Sequence, residues 1–402
     1  MIHKFTARNF YSFKDTIKIN FDVNEKAPET TSYVKNLGQR TSKVLTVIGP
    51  NASGKTNLLK ILPFLRFFIV ASFNLKPNER IPYEQYRFTD KHDNVTELSV
   101  TFSLNSMLYE YSLKLDLSQV LNEKLRKYNK KTKQFSILFS RKWNVSKNDY
   151  DYDLKNFIIS TKVKTIVTKR KNASLLSIAA QIEHKLSKEI ITFWDSIEFN
   201  VDMLGKHEHP EMLDLNEASQ YYYEHPEAKT LAEALLTRFD LGLSKLKIET
   251  HTHKIKTGKE ETYYVPIGLH KGETGNYPLS FLYESGGTKC LFTLLRKIIP
   301  VLSTGSIAVL DGFDADLHPH MLPELIDLFM SEELNPKNAQ LIFSTHHHEI
   351  LNKLDKYQII VIEKNEENGV SEVWRLDDLG VRVDDNYYAK YIAGAYGGVP
   401  DL

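Results

Sequence analysis

Gly49-Pro-Asn-Ala-Ser-Gly54-Lys55-Thr56 constrains this chain more than any other stretch. An apolar β-like run, residues 43–48, leads into it, and an apolar helical pattern, Leu58-Leu59-Lys60-Ile61-Leu62, leaves it. Gly49 and Gly54 let the backbone bend until successive N–H groups point inward. The start of the following helix adds unpaired donors and the positive end of its dipole. Such a loop suits a polyphosphate: Lys55 would reach the β- and γ-phosphates, and the Thr56 hydroxyl would ligate Mg²⁺. Asn51, Ser53 and Asn57 share the loop and are candidate nucleotide contacts. The pattern predicts an α/β core that holds a nucleoside triphosphate.

Composition narrows the setting. The 402 residues suffice for two or three lobes, and 42% hydrophobic with 26% charged residues is ordinary globular content. The single cysteine, Cys290, excludes an internal disulfide framework and fits a reducing cytoplasm. The first ten residues lack the apolar core of a signal peptide. The greasiest run, Ile61 to Phe73, is short, contains Pro63 and Arg66, and reads as a buried helix rather than a membrane span. The net charge of +1 hides an asymmetry, because residues 124–171 hold 15 Lys+Arg against 3 Asp+Glu. That density suits a polyanion or an acidic protein face, and equally a lobe whose lysines only keep it solvated.

Along the chain, Ile2–Arg8 and Thr16–Phe21 read as strands before the phosphate loop. From about Thr96 to Val167, short alternating segments predict antiparallel strands. Asn172 is a candidate cap for a helix in which Leu175, Leu176, Ile178 and Ala179 recur at helical spacing. That helix is expected to run on through Leu186, Ile190 and Trp194. A second helix is expected at about Lys229–Phe239, with strands at Ser244–Glu249 and Thr262–Leu269. After Ser280 helix and strand alternate, and residues 306–311 and 340–345 fit buried parallel strands. The expected organisation has residues 1–90 as the first part of a nucleotide-binding head and 91–172 as a basic antiparallel β lobe. Residues 173–242 would be a helical insertion and 243–402 the second part of the head.

Four segments after residue 280 resemble an ABC-type ATPase head, in that family's order. Glu284-Ser285-Gly286-Gly287-Thr288 looks like the signature loop, and residues 307–311 look like a Walker B strand ending in Asp311. Asp314-Ala-Asp316-Leu-His318-Pro319 sits where the D-loop lies, and Ser344-Thr345-His346 is similar to the switch-histidine segment. Ala7-Arg-Asn-Phe10-Tyr-Ser-Phe13 resembles the opening of RecF- and SMC-like heads. Asp-Leu-His-Pro-His and the ending Tyr391-Ile-Ala-Gly394-Ala-Tyr-Gly397-Gly-Val-Pro400 are similar to stand-alone bacterial ATPases of the OLD (overcoming-lysogenization) kind. The resemblance covers both ends of the chain.

It implies ATP and Mg²⁺ as cofactors, with Lys55, Thr56 and Asp311 holding them. Ser285, Gly286 and Gly287 would cap the γ-phosphate held by a second copy, and His346 would contact that phosphate. The expected partners are another copy of the chain, as a homodimer or larger homo-oligomer, and an effector, often a nuclease. The trigger would be nucleic acid or a phage protein, and no membrane is involved. The implied setting is a phage-defence module of the PARIS, Septu or retron-associated kinds, in the cytoplasm. The rival readings are a RecF-like repair ATPase using its basic lobe on duplex DNA, and a non-hydrolysing nucleotide-gated scaffold.

One position departs from the family. ABC-type heads place a glutamate directly after the Walker B aspartate, and here it is Gly312. A positioned base contributes about 10²–10⁴ in rate, so ATP is expected to bind well and be cleaved slowly unless Asp314 or His346 substitutes. His346-His347-His348, with His318 and His320, is a poor transition-metal set, because adjacent histidines diverge and no cysteine pair accompanies them. The C-terminal acids Asp377, Asp378, Asp384 and Asp385 read as a solvated tail.

Overall fold

The computed structural model describes residues 1–400 apart from 26, 37, 90–92, 156, 208–210, 240–241, 255–259 and 316. It is an α/β protein built on a six-stranded sheet of order 198–199, 307–310, 340–344, 44–48, 359–364, 371–375. The first five strands run parallel and the last pairs antiparallel. Val44–Ile48, buried along its whole length, lies between two strands from the far end of the chain, with Ile342 opposite Leu45 and Ile360 opposite Val47. A strand apolar on both sides requires neighbours and cover on both faces. The head is therefore assembled from distant segments.

The two faces of this sheet feed two cores, as the period-two geometry of a strand dictates. Leu45, Val47, Ile307, Val309 and Ile342 face the helix that leaves the phosphate loop. Val44, Ile48, Leu310, Leu341 and Phe343 face a layer that includes the helices Gly286–Thr304 and Met321–Met330. Beyond the phosphate-loop helix lies a seven-stranded antiparallel sheet, order 149–153, 134–144, 120–129, 107–115, 96–104, 2–8, 17–20. Strands on both sides of residue 91 share this sheet, with Phe5 opposite Val100 and Ala7 opposite Leu98. The helix Ile61–Ala71 is clamped between the sheets through Phe64, Leu65 and Phe68, each fully buried. Each such side chain contributes about 1.5–3 kcal/mol of burial. Among the described residues one helical stretch, Lys55–Asn74, is long and apolar enough to cross a membrane, and 61% of its window is buried inside the protein. That is the character of a core helix.

Several local expectations are corrected. The helix after residue 172 is capped by Ser174, whose hydroxyl accepts from Leu176 N, while Asn172 donates to the carbonyls of Lys76 and Glu79. It does not continue to Trp194. Leu175–Ala180 and Lys185–Asp195 are separate helices, broken where Glu183 adopts φ 62°. Residues 161–169, read as strand up to Val167, form a helix. A further helix, Glu211–Glu224, buries Leu215, Ala218 and Tyr222, and the Tyr222 hydroxyl donates to Phe292 O. The C-terminal acids are not merely solvated, since Asp377 chelates Arg375 and Asp385 pairs with Lys390.

The basic segment is only partly free. Arg141 is fully buried against Glu123, and Arg170 donates to the carbonyls of Phe73 and Leu75. Lys130, Lys131 and Lys133 are exposed around the turn between strands 120–129 and 134–144.

Candidate nucleotide-binding site

The phosphate loop has the conformation its glycines allow. Gly54 has φ +115°, and a Cβ there would lie 2.5 Å from Ser371 Oγ. At Gly49 a Cβ would come within 2.1 Å of the Ile362 carbonyl oxygen. No side chain fits at either point, so the close approach of the loop to strands 359–364 and 371–375 requires glycine. The loop is braced by the N-terminal turn: Asn57 Nδ2 donates to Ser12 Oγ at 3.0 Å, and Ser371 N donates to Ser12 O at 2.9 Å. The Ala7–Phe13 segment, noted for its resemblance, is thus the loop's outer wall.

Lys55 starts the helix and is nearly buried, with its ammonium donating to Gly49 O at 2.7 Å and Pro50 O at 2.9 Å. Burial lowers its pKa, opposed by the nearby carboxylates of Asp311 and Asp314. Thr56 Oγ1 donates to Asp311 Oδ2 at 2.7 Å, and Ser344 Oγ donates to Asp311 Oδ1 at 2.5 Å. Asp314 accepts from His346 N at 3.1 Å through Oδ2, with His347 Nε2 at 3.5 Å. Its other oxygen, Oδ1, is buried and has no partner among the described residues. His346 stands exposed at the rim, its pKa lowered first by partial desolvation and then by the Lys55 cation.

These groups line one cavity of about 410 Å³, which Asn51, Gly54, Lys55 and Thr56 enter from one side and Asp311, Asp314 and His346 from the other. Asn57 lines it too, whereas the buried Ser53 does not. The donor set fits a hydrated Mg²⁺ beside phosphate: a hydroxyl, a carboxylate and an unpartnered buried carboxylate oxygen, all hard oxygen ligands. Thr56 and Asp311 would hold the ion, which would screen the charge of bound phosphates.

Ser285, Gly286 and Gly287 stand apart from this cavity. Ser285 caps the helix Gly286–Thr304 by accepting from Thr288 N at 3.1 Å, and Ser285 and Gly286 are exposed. Glu284 turns inward instead, 2.6 Å from His270 Nε2, which ties the loop to the antiparallel strands 243–254, 260–272 and 275–280. Asp316 of the D-loop segment lies outside the described residues.

Three contributors escaped the sequence reading. Ser344 lies inside the switch-histidine segment, and its hydroxyl also accepts from Gly312 N at 2.8 Å. Asn200 clamps the Walker B backbone, accepting from Asp311 N at 2.6 Å and donating to Asp311 O at 2.9 Å. Lys206, six residues on, lines the cavity. Nothing local marks Asn200 or Lys206, because their role arises from pairing of residues 198–199 with 308–309.

A family model described as "AAA domain, putative AbiEii toxin, Type IV TA system" matches residues 44–352, and the chain belongs to that family. No curated protein matches it. Among solved structures it is similar to an SMC head domain from Thermotoga maritima, at 14% identity over 93% of this chain and 98% of that one, TM-score 0.43. It is also similar to an SmcHead bound to the C-winged helix domain of ScpA, at 14% identity over 94% and 99%, TM-score 0.45. An Smc head domain with a coiled coil and joint from Pyrococcus yayanosii matches at 11% identity over 98% and 99%, TM-score 0.46. An AAA-domain chain with this phosphate loop is a nucleotide-binding protein of the ATPase class.

Proposed function

We propose that the chain is an ABC-type ATPase, working with ATP and Mg²⁺, whose nucleotide-dependent head pairing controls a partner effector in bacterial anti-phage defence. One observation carries this reading: a phosphate-loop cavity and an exposed helix start lie apart on the same chain. Lys55, Thr56 and Asp311 converge on a phosphate cavity, while Ser285 and Gly286 offer a capped helix start to solvent outside it. An exposed helix start with backbone donors is an anion site. A second copy would bring it over the first copy's γ-phosphate, with Gly287 behind it and His346 at the rim. Where Gly312 supplies no base, Asp314, which lines the same cavity, is the candidate to take a proton from water.

The effector is inferred to be a nuclease encoded beside this chain, and the trigger a nucleic acid or phage protein. The family's description, which names a Type IV TA system, supports a paired module. The single cysteine supports a cytoplasmic setting.

The test is the oligomeric state, by light scattering, with MgATP, with ADP and with chelator. MgATP is expected to pair the wild-type chain, and Lys55→Ala is expected to stay unpaired. A wild-type chain saturated with ATP that remains monomeric at every concentration overturns head pairing.

The exposed Lys130, Lys131 and Lys133, with Arg126 lying over the Phe135 ring 5.3 Å from its centroid, favour a second reading, duplex DNA binding. Neutralising those three lysines would then weaken DNA binding and flatten its salt dependence. Arg170 is unsuited to that test, since it holds two backbone carbonyls.

A further inference from the structure

We propose that Lys206 is a second phosphate-binding cation of the cavity, reading the terminal phosphate of a nucleoside triphosphate from the side that Gly312 leaves open. This inference rests on the nucleotide-binding reading above and deepens it.

The geometry begins at Gly312. It has φ +56°, and a Cβ built on it would lie 3.2 Å from Lys206 Nζ. The ammonium therefore stands in contact with the point where a side chain at position 312 would begin. Lys206 is exposed, and it has neither a hydrogen-bond nor an ion-pair partner among the described residues, although Asp311, Asp314, Lys55 and Thr56 line the same cavity. An uncommitted ammonium opening onto a phosphate loop is chemically suited to a phosphate oxygen.

Its placement is built rather than incidental. Residues 200–207 form a tight hairpin in which Val201 bridges Lys206 and His207 N donates to Asn200 O at 2.8 Å. Asp202 Oδ1 accepts from Leu204 N at 2.7 Å and Gly205 N at 3.2 Å, closing the turn. The hairpin is fastened to the site at two points. Asn200 makes its paired bonds to the Asp311 backbone, and the Tyr11 hydroxyl donates to Met203 O at 2.7 Å. Since Tyr11 neighbours Ser12, which braces Asn57, both attachments lead back to the nucleotide cavity. A terminal phosphate held by Lys206 would tighten this hairpin, a contact that a diphosphate would not reach.

Binding of fluorescent ATP and ADP analogues, with hydrogen exchange of residues 200–207, tests the inference. Lys206→Ala is expected to weaken ATP about 10–100-fold, the range of one charge-assisted hydrogen bond, with ADP affinity unchanged. Lys206→Arg is expected to restore ATP preference. ATP, and not ADP, is expected to slow exchange in the hairpin of the wild type. Lys55→Ala should weaken both nucleotides, which separates the two sites. If the wild type binds ATP and Lys55→Ala does not, while Lys206→Ala keeps the wild-type ATP-to-ADP ratio, this inference fails and the nucleotide site stands. If the wild type binds neither nucleotide, both fail.

Discussion

Thr56 and Asp311, 255 positions apart in the chain, are joined by a 2.7 Å hydrogen bond from the threonine hydroxyl to the aspartate Oδ2. It links the two strand ends that make the cavity, because the phosphate loop follows Val44–Ile48 and Asp311 follows Ile307–Leu310. The strand Gln340–Ser344 lies between them and supplies the Ser344 hydroxyl to the same carboxylate. Thr56→Val is expected to keep the fold and lower the magnesium-dependent part of ATP affinity by about tenfold, the worth of one metal-ligand or charged hydrogen bond. Thr56→Ser should retain it. Equal affinities for Thr56→Val with magnesium and with chelator, both at the wild-type magnesium value, would sink the role given to Thr56.

Substitutions at Ser285 test nucleotide binding and the proposed pairing separately. Its hydroxyl caps the helix from Gly286, so Ser285→Ala should cost roughly 1 kcal/mol of stability. Ser285→Arg would place a long cation on an exposed helix start outside the cavity of its own chain. ATP-induced pairing is expected to be lost while the single chain still binds ATP, as light scattering and nucleotide fluorescence would show.

The antiparallel sheet carries a buried ion pair whose disruption should be severe. Glu123 and Arg141 are both at 0% exposure, and Glu123 also accepts from Tyr111 Oη at 2.8 Å, Ser174 Oγ at 2.7 Å and Leu175 N. Removing one member leaves an uncompensated buried charge, so Glu123→Ala is expected to destabilise by roughly 3–5 kcal/mol in urea unfolding. A loss under about 1 kcal/mol would show that solvent reaches the arginine after all.

Stability should fall in mild acid. Burial lowers the pKa of His184, and His184 caps the helix Lys185–Asp195 by accepting from Ser187 N through its ring. Only the neutral ring accepts, so below the usual histidine value of about 6.5 the unfolded chain binds more protons than the native one. Stability therefore rises with pH through that window and is lost as pH falls through it. His348, also lowered by burial and packed on Tyr391, acts in the same direction. His184→Asn keeps a capping side chain that does not titrate, and should flatten the pH dependence of unfolding below about pH 6.5. An unchanged slope would place the effect elsewhere.

The local parts of the site were legible because each is a short stretch whose backbone must adopt one shape. The phosphate loop needs Gly49 and Gly54 where other strands press on it, and Ser285 is a helix cap wherever the helix lies. Helix boundaries were less legible. Asn172 and Ser174 are equally good caps by residue type, and the choice fell to Ser174 because Asn172 is drawn away by the carbonyls of Lys76 and Glu79. The break before Lys185 depends on Glu183 in a left-handed conformation, which no residue preference announces.

Sequence alone thus determined that a strand, a phosphate loop and an apolar helix stand in succession, since these follow from neighbours along the chain. Only the tertiary structure decided that Asn200 grips Asp311 and that Lys206 fills the space beside Gly312. Those contacts arise from parallel pairing across more than a hundred residues, and such pairing is selected by burial of both sheet faces, a property of the whole packed core.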